Sequence, residues 1–498
     1  MNVFTQRRTA GSLIVVATAV LFLRCGGSSD NGGDSSTTPT TPTTPVTTPN
    51  LVLILTDDQD LATMVHMPIV RDRLAARGLT FNNAFVTDSL CCPSRATILT
   101  GQYAHNHGVQ SNEPPQGGFD VFRDLGHERN SLGLWLNRGG YTTALIGKYL
   151  NRYPGTSPAN YIPPGWTDWY SFFSNVGSDA YYNYSMNESG TVVRYGTRPE
   201  DYITDVLATK ALQFLDRAEA NDAKPFFLHI TPNAPHRPSE PAPRHASLLP
   251  NVQMPRTPNW NEADISDKPA WLRNVFQPLS RSDENVVDYL FQQRSLSLLA
   301  VDELVGRVLD KLEALGEMSN TYIIFTSDNG FLQGSHRFVR GKDAPYEESI
   351  RVPLIVRGPN IRAGATSDSF VLNNDFAPTL LELAGVAIPA SVDGRSIVPL
   401  LNGRTPTDWR TDFLIEHWRP ASESDEDEGN GAIPDYFGLR NDRYAYIEYA
   451  TGERELYDLR SDPYQLQSLH ASASSSTLGP LQQRLNALKT CKGAAACK

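Results

Sequence analysis

Four short, largely apolar runs constrain the fold of this chain more than any other feature of its sequence. They lie at residues 51–55, 142–146, 225–230 and 322–327. Apolar runs of this length are typical of parallel strands that are covered on both faces. Segments with helical spacing lie between them, so the chain predicts an α/β fold with a mostly parallel sheet and helices on both sides. The predicted helices cover residues 68–78, 94–99, 132–137, 202–220, 284–315, 374–383 and 481–488.

Oxygen-bearing side chains directly follow two of these runs. Asp57 and Asp58 come after the first run, and Asp328 and Asn329 come after the fourth. Carboxylates at the end of a buried strand are costly unless a cation meets them, although the same residues can also cap a helix or lie in a solvated loop. Ligands gather at this edge of α/β sheets, and four oxygen ligands without an imidazole favour Ca²⁺ or Mg²⁺ over zinc.

Basic side chains follow the other two runs. Lys148 comes after the second run, and His236 comes after the third, within the motif P-x-x-P-H. Most such lysines are solvated, and such a histidine can simply cap a proline-stiffened turn. The position after a strand end nevertheless favours a place in a site, because the carboxyl ends of parallel strands share one edge of the sheet.

The stretch at 88–101 contains Cys91-Cys92-Pro93-Ser94-Arg95. Pro93 suits the first turn of a helix, and Gly101 ends the predicted helix. Cys91 is therefore expected just outside a helix N-terminus, where the helix dipole favours a thiolate or another anion. The simpler interpretation is a small hydrophobic cysteine beside a turn.

This pattern, C-x-P-S-R followed by A-T-I-L-T-G, resembles the signature of the type I sulfatases. Further motifs follow in the family's order: D-N-G at 328–330, Lys342 before Y-E-E and R-V-P-L-I-V, and E-L-Y-D-L at 455–459. The resemblance extends over residues 50–498 as scattered motifs. It implies an alkaline-phosphatase-like fold with a smaller C-terminal antiparallel sheet.

The resemblance also implies a mechanism. A formylglycine-generating enzyme oxidises Cys91 to an aldehyde, which hydrates to a geminal diol. One hydroxyl attacks sulfur and expels the alcohol, and the other then loses its proton so that sulfate is eliminated. Cys92 takes the variable position of the motif. The implied metal ligands, for Ca²⁺ or alternatively Mg²⁺, are Asp57, Asp58, Cys91, Asp328 and Asn329.

The remaining roles also come from the resemblance. Arg95 holds the diol and the metal carboxylates. Lys148 and Lys342 neutralise charge on the sulfate oxygens. His236 contacts the sulfate or protonates the leaving oxygen. These residues, with Cys91, form the expected catalytic set.

Departures from the general pattern resemble the N-acetylglucosamine-6-sulfatase branch of the family. Leu150 stands where many sulfatases have the histidine of a K-x-H motif, and Asn151 is expected to replace it in part. His107 is expected to line the pocket. Residues 152–200 predict an irregular, substrate-facing insertion, whose aromatic residues either offer faces to sugar rings or pack the insertion on the core. These aromatic residues are Tyr161, Trp166, Trp169 and Tyr170.

The expected function is therefore hydrolysis of a sulfate ester on a sugar such as N-acetylglucosamine 6-sulfate. An arylsulfatase, a phosphoesterase of the same superfamily and a non-catalytic lipoprotein that binds sulfated glycans are the alternatives. Such phosphoesterases usually place Thr or Ser as the nucleophile, which C-x-P-S-R disfavours. The net charge of −11 gives nucleic-acid binding no electrostatic support.

The N-terminal segment predicts export. Arg7-Arg8 precede an apolar run at 13–23, which is the layout of an export signal and is short for a membrane span. Cys25 resembles the lipidated cysteine of a bacterial lipoprotein, although residues 22–24 are not the small ones that such a cleavage site prefers. We therefore expect a periplasmic, cell-surface or secreted protein, with the membrane contacted only through a lipid anchor.

The domain organisation follows from these segments. Residues 1–25 form the export signal, 26–49 a disordered Ser/Thr/Pro/Gly tether, 50–403 the catalytic domain and 404–498 a C-terminal subdomain. In an exported chain Cys491 and Cys497 are expected to close a short disulfide loop, the alternative being two free thiols.

Overall fold

The computed structural model describes residues 48–173, 181–220, 224–419 and 433–498. The predicted export signal at 1–25, Cys25, the tether up to residue 47 and an acidic run at 422–429 lie outside the described residues. Within the described ranges, no helix combines the length and the apolar character needed to cross a membrane.

In the described residues the strands form a large mixed sheet, a small antiparallel sheet and a two-stranded parallel sheet. In chain order the strands of the described residues are β1 (Asn50–Thr56), β2 (Leu79–Phe81), β3 (Ala84–Phe85), β4 (Thr142–Gly147), β5 (Asp168–Phe172), β6 (Ser185–Glu188), β7 (Thr191–Arg194), β8 (Phe226–Thr231), β9 (Thr321–Ser327), β10 (Leu354–Arg357), β11 (Ala365–Ser367), β12 (Val371–Leu372), β13 (Asp412–His417), β14 (Tyr436–Asn441), β15 (Tyr444–Tyr449) and β16 (Arg454–Asp458).

The large sheet has the order β11-β2-β10-β9-β1-β8-β4-β5-β6-β7 in the described part of the chain. Its central strands β9, β1, β8, β4 and β5 run parallel. On one flank β10 is antiparallel to β9, and on the other β6 and β7 continue antiparallel from β5. The four predicted strands are therefore adjacent, and their carboxyl ends meet at one edge.

Helices cover both faces of this sheet. In the described residues they are α1 (Cys91–Thr100), α2 (Ala104–His107), α3 (Gly118–Asp124), α4 (Leu132–Arg138), α5 (Ile203–Glu219), α6 (Ala270–Val275), α7 (Arg281–Leu315), α8 (Glu347–Ile350), α9 (Phe376–Leu383), α10 (Val398–Leu401) and α11 (Ser475–Leu488). Alternate residues of β1 face different helix layers: Leu53 packs in the core of α1, α4 and α9, whereas Val52 packs in the core of α5 and α7. This two-sided burial explains the apolar runs of the sequence.

The long helix α7 illustrates how local sequence sets an element's bounds. Ser280 and Asp283 form a reciprocal capping box at its start, and Gly316, with φ +80°, ends it in the left-handed conformation. The observed helix thus begins three residues before the predicted start at residue 284 and ends at the predicted residue, Leu315.

The small sheet has the order β13-β14-β15-β16, and all its pairings are antiparallel. Leu485 and Leu488 of α11 lie in the same apolar core as this sheet. Cys491 and Cys497 form a disulfide bond just after that helix. The predicted fold class, an alkaline-phosphatase-like α/β sheet with a smaller antiparallel sheet, is confirmed.

Two sequence-based expectations were wrong in detail. The segment at 68–78 forms a π-helical turn at Val70–Leu74 and a 3₁₀ turn at Ala75–Arg77 rather than a regular α-helix. The insertion at 152–200 is not irregular throughout, because β5, β6 and β7 extend the large sheet. Its Tyr- and Ser-rich segments pair with existing strands, which their weak apolar alternation does not reveal.

Candidate active site

The ends of β1 and β9 bring the acidic residues together. These strands are parallel neighbours with Thr56 opposite Ser327, so the residues that follow them lie side by side. The Asp58 backbone N–H donates to Asp328 Oδ1 at 3.0 Å. One carboxylate oxygen each from Asp57, Asp58 and Asp328 lies within 4.8 Å of the others, and all three side chains are buried.

Glycines allow the close approach of the site loops. A Cβ on Gly330, directly after Asn329, would lie 2.2 Å from the Glu348 carbonyl oxygen. A Cβ on Gly147, directly before Lys148, would lie 2.0 Å from the carbonyl oxygen of Thr231 in β8. A side chain at either position would therefore displace backbone beside the site.

Cys91 is the first residue of α1 and is fully buried. The helix begins three residues before the predicted start at 94, so the prediction that Cys91 lies outside it was wrong. Its Sγ lies 3.5 Å from Asp57 Oδ1 and 3.8 Å from Asp58 Oδ1. Lys342 Nζ donates to this Sγ at 2.8 Å and to Asp58 Oδ1 at 3.0 Å. Burial raises the pKa of the Cys91 thiol well above its usual value, so the expected thiolate is not favoured.

Arg95 lies one helical turn after Cys91 and points to the same side. Its Nε donates to Asp328 Oδ2 at 2.7 Å, its Nη2 lies 3.2 Å from Asp57 Oδ2, and its Nη1 donates to the Lys148 carbonyl at 2.9 Å. This side chain therefore links the ends of three strands, β1, β9 and β4.

Lys148 and His236 approach the same carboxylates. Lys148 Nζ lies 2.5 Å from Asp57 Oδ2. His236 Nδ1 donates to the Arg237 carbonyl at 2.9 Å, because a carbonyl can only accept, and Nε2 faces Asp58 Oδ2 at 3.9 Å. The predicted catalytic residues Cys91, Arg95, Lys148, His236 and Lys342 therefore lie together with the predicted metal-binding carboxylates.

Neighbouring charges shift the pKa values of the buried carboxyl groups in different directions. Burial alone would raise the pKa of Asp57, but Lys148 and Arg95 outweigh it and hold that pKa far below its usual value. Lys342 and His236 likewise overcome burial at Asp58 and lower its pKa. At Asp328, burial and the negative charge of Asp57 raise the pKa to about 6.

The residues present fit a hard divalent cation. Besides the three carboxylates, the buried Asn329 Oδ1 receives no hydrogen bond from any described residue, whereas its Nδ2 donates to Asp58 Oδ1 at 2.7 Å. An orphaned buried oxygen beside three carboxylates is the kind of donor set that Ca²⁺ or Mg²⁺ takes. The three carboxylates are balanced by Arg95, Lys148 and Lys342, so a bound divalent cation would leave the site positive and suited to an anion.

Several supporting residues were missed in the sequence. Arg294, inside α7, is buried, and its Nη2 donates to the Asp58 carbonyl at 2.5 Å and to Asp60 Oδ2 at 2.9 Å. Asn112 Oδ1 accepts from the Cys92 N–H at 2.9 Å at the start of α1. An arginine on the apolar stripe of a helix was the one available signal for Arg294, whereas nothing in the sequence distinguishes Asn112.

His107 and the aromatic residues of the insertion contact groups other than the candidate catalytic and metal-binding residues. His107 is buried and bonds to Thr97 Oγ1 at 3.0 Å and to the Val109 N–H at 3.1 Å, so the expectation that it lines the pocket was wrong. Trp166 and Trp169 are buried in the main core, so the insertion's tryptophans do not offer faces to a sugar. The partly buried Tyr161 bonds to Glu128, and Tyr170 Oη accepts from Arg217. Leu150 packs in the same core, and Asn151 provides its carbonyl to the Phe119 N–H at 2.8 Å.

Comparison with known families matches nearly all of the described chain. A family model described as Sulfatase matches residues 49–386. A second model, described as N-sulphoglucosamine sulphohydrolase, C-terminal, matches residues 334–491. The two matches overlap and together extend over both sheets.

Individual relatives agree with these matches. The chain is 36% identical over 475 residues to the N-acetylglucosamine-6-sulfatase of Capra hircus, covering 89% of this chain and 84% of the relative. It is 39% identical over 379 residues to the Extracellular sulfatase SULF-1 homolog of Drosophila melanogaster, covering 74% of this chain. The aligned region is 33% of that relative, so the chain spans about a third of its length.

A solved structure gives a similar result. A protein in complex with its substrate D-glucosamine-2-N, 6-O-disulfate superposes with a TM-score of 0.75 at 27% sequence identity. The superposition covers 88% of this chain and 97% of that one.

Proposed function

Because this chain belongs to the sulfatase family, we propose that it hydrolyses sulfate esters of sugars with a formylglycine made from Cys91 and a bound divalent cation. The observation that carries this proposal is the contact of one buried lysine with both parts of the site. Lys342 Nζ lies 2.8 Å from Cys91 Sγ and 3.0 Å from a metal-ligand carboxylate, Asp58. Any oxygen carried on the Cys91 Cβ would therefore lie beside a fixed positive charge and the cation ligands.

The proposed reaction uses the two hydroxyls of hydrated formylglycine. One hydroxyl loses its proton and attacks sulfur, and the S–O bond to the sugar breaks as the alcohol leaves. The second hydroxyl then gives up its proton, its C–O bond becomes a carbonyl, and the bond between carbon and the sulfated oxygen breaks. Inorganic sulfate leaves and the aldehyde is restored, so water is the one co-reactant consumed overall.

The surrounding residues supply charge and a proton donor. Lys342 and Lys148 stabilise negative charge on the diol and the sulfate oxygens. Arg95 holds Asp57 and Asp328 in place through its guanidinium. His236, with Nδ1 engaged by a carbonyl, presents Nε2 to the site and protonates the leaving oxygen or binds the sulfate.

The cation would be held by Asp57, Asp58, Asp328, Asn329 and the modified Cys91. Its contribution when bound is positive charge that favours an ionised hydroxyl and an anionic ester. Ca²⁺ is the proposed ion, and Mg²⁺ has compatible oxygen ligands.

The proposed substrate carries the sulfate on carbon 6 of a glucosamine unit at the end of a glycan. This is supported by the name of the Capra hircus relative and by the sugar bound in the structural neighbour. Comparing kcat/KM for 6-O-sulfated, 2-O-sulfated and aryl substrates tests the position. A preference for the 2-O-sulfated or aryl compounds would reject it and leave sulfate ester hydrolysis standing.

We also propose that the protein is exported. The segments at 1–25 and 26–49 have the composition of an export signal and a tether, and the Drosophila melanogaster relative is named as extracellular. A lipid on Cys25 would then hold the catalytic part near a membrane. Fractionation of the host cells tests this, and an intact Met1 on cytosolic protein would contradict it.

The central experiment is to exchange the side chain at position 91. We expect Cys91→Ser to abolish turnover and to trap a sulfated serine, because one hydroxyl can be sulfated but cannot eliminate sulfate. Mass spectrometry of the peptide that carries residue 91 measures both the aldehyde in the native chain and the trapped adduct.

Cys92→Ala is the matched control for this exchange. Cys92 is also buried, one residue along α1, and we expect its variant to keep most of the activity because its backbone N–H still bonds to Asn112. Sustained multiple turnover by Cys91→Ser, or a native peptide with an unmodified thiol in active protein, would reject the diol mechanism. An unmodified thiol in protein that binds sulfated glycans without cleaving them would support the non-catalytic alternative.

A further inference from the structure

Beside the candidate active site, a cavity of about 520 Å³ lies between the loops after β1 and β9 and the small sheet. Asp60 and Phe331 line it, each two residues beyond a metal-ligand candidate, so their Cα atoms lie within about 7.6 Å of those of Asp58 and Asn329. Within the described residues, none of the candidate catalytic or metal-binding side chains lines this cavity. It is therefore a neighbour of the candidate active site and distinct from it.

The walls of this cavity are largely apolar and partly open to solvent. Tyr464 is 36% exposed and Leu61 is 42% exposed, so both side chains are accessible to a ligand in the cavity. Phe331 forms a wall next to the loop of the candidate active site. The apolar lining residues are Leu61, Ala62, Met254, Pro255, Phe331, Leu459, Pro463 and Tyr464.

Polar residues also line the cavity. Ser335 is 1% exposed, and its Oγ has no hydrogen-bond partner among the described residues. Glu348 receives one hydrogen bond on Oε1, from Asn259 Nδ2 at 2.6 Å. The Ser335 hydroxyl is therefore enclosed behind the cavity wall, whereas the second carboxylate oxygen of the half-buried Glu348 accepts no hydrogen bond from a described residue and can accept one from a ligand.

The charges around the cavity cancel, whereas a bound divalent cation would leave the candidate active site positive. Asp60 is paired with Arg294 at 2.9 Å, and Glu347 is paired with Arg440 at 2.9 Å. The remaining lining charges are one carboxylate, Glu348, and one guanidinium, that of Arg351. The balanced charges do not attract an anionic sulfate electrostatically. A neutral molecule with several hydroxyl groups can bind without leaving a charge uncompensated.

We propose that this cavity binds one unsulfated hexosamine ring of a glycan chain. The volume falls in the range of small-ligand sites. A pyranose ring presents apolar C–H faces, which suit Tyr464 and Phe331, and N–H and O–H groups, which suit the Glu348 carboxylate. The choice of a hexosamine rests on the proposed function, because the glycan that carries the sulfate would supply it.

Calorimetric titration of the full chain with the unsulfated N-acetylglucosamine disaccharide tests this proposal. We expect binding that Tyr464→Ala weakens about tenfold, which corresponds to about 1.4 kcal/mol, and that Glu348→Gln also weakens. Tyr289→Ala is the matched control, because Tyr289 is an exposed tyrosine of α7 that does not line the cavity, and it should leave the affinity unchanged. Thermal unfolding of each variant confirms that it is folded.

The measurement is independent of sulfate release, because the disaccharide carries no sulfate and the candidate active site turns nothing over. Absence of binding to the native chain would overturn the proposal, and so would binding that neither Tyr464→Ala nor Glu348→Gln weakens. A sulfated substrate that is not cleaved while the disaccharide still binds would instead reject the proposed function and keep the cavity's role.

Discussion

At the scale of single residues, two equally buried carboxyl groups near Cys91 have pKa values shifted in opposite directions. Asp57 and Asp328 are both fully buried, yet the pKa of Asp57 is strongly lowered and that of Asp328 is raised to about 6. Asp57 has Lys148 at 2.5 Å, whereas the charge of Asp57 itself disfavours a second negative charge at Asp328. The arrangement of the basic side chains therefore decides which carboxyl is ionised most readily.

A buried histidine gives a residue-scale prediction about acid stability. His229 in β8 is 3% exposed, neither ring nitrogen has a hydrogen-bond partner among the described residues, and burial lowers its pKa to about 3. An unfolded histidine has a pKa near 6.5. Between these values the unfolded state binds more protons, so stability is lost as the pH falls, by about 1.4 kcal/mol per pH unit for this one group.

We expect His229→Leu to weaken this acid dependence, because leucine cannot take up a proton. Denaturant unfolding at several pH values between neutrality and mild acid measures the slope of stability against pH. His470→Leu is the control, since His470 lies nearer the surface and should leave most of the slope intact. An unchanged slope in His229→Leu would show that other groups cause the loss.

At the scale of elements, the central strands could be predicted because a strand that is buried on both faces has a continuous apolar sequence. The same runs located Asp57, Lys148, His236 and Asp328, since each follows a strand end. The strands β5, β6 and β7 could not be predicted, because partly exposed strands at the side of a sheet carry a weak apolar pattern. Arg294 could not be placed in the site, because the sequence of α7 does not reveal which neighbour its buried face meets.

A second element-scale feature joins the short helix α2, which follows α1, to the C-terminal disulfide loop. His105 Nδ1 lies 2.7 Å from Glu416 Oε2, and its Nε2 lies 2.9 Å from the Cys491 carbonyl oxygen. The Gly493 N–H donates to Asp393 Oδ1 at 2.6 Å, and Asp393 also binds Asn106. Since both ring nitrogens of His105 face acceptors, both must carry protons to make these bonds.

This contact predicts a pH-dependent contribution to stability. Burial would lower the pKa of His105, but the hydrogen bond and charge of Glu416 outweigh it and raise the pKa. A raised folded-state pKa means that the contribution is fully present below the ordinary histidine value and is lost as the pH rises through the folded-state value. We therefore expect His105→Gln to lower the melting temperature more in mild acid than in mild alkali.

Thermal unfolding of His105→Gln and of the native chain at both pH values measures this difference. Gln102→Ala, on the same loop, is the control and should show no such dependence on pH. Equal destabilisation by His105→Gln at both pH values would contradict a protonated His105.

At the scale of the whole molecule, the charge distribution separates the site from the surface. The chain has a net charge of −11, whereas the candidate site balances three carboxylates with three basic side chains before any cation binds. With a divalent cation bound the site would be positive and would attract an anionic substrate locally, whereas the net negative charge of the chain opposes its approach. A divalent cation held by Asp57, Asp58, Asp328 and Asn329 would change this balance, and its ligands come from the ends of both β1 and β9.

Removing the cation should therefore weaken the whole fold together with activity. An ion that binds the native state alone stabilises it by about 2.7 kcal/mol at a free concentration of about 100 times its Kd. We expect a chelator to lower the melting temperature and the rate of sulfate release in parallel, and added Ca²⁺ to restore both. Asp328→Asn, which weakens one ligand, should have a smaller chelator-induced shift than the native chain.

Asp302→Asn is the matched control for this last experiment. Asp302 is also a buried aspartate, but its carboxylate accepts from the Ile69 and Val70 N–H groups, and it is not one of the candidate ligands. Its variant should lower the starting melting temperature and keep the full chelator-induced shift, because the cation ligands are intact. A native chain whose melting temperature does not respond to the chelator, or an Asp328→Asn variant that responds in full, would reject the assignment of Asp328 as a ligand.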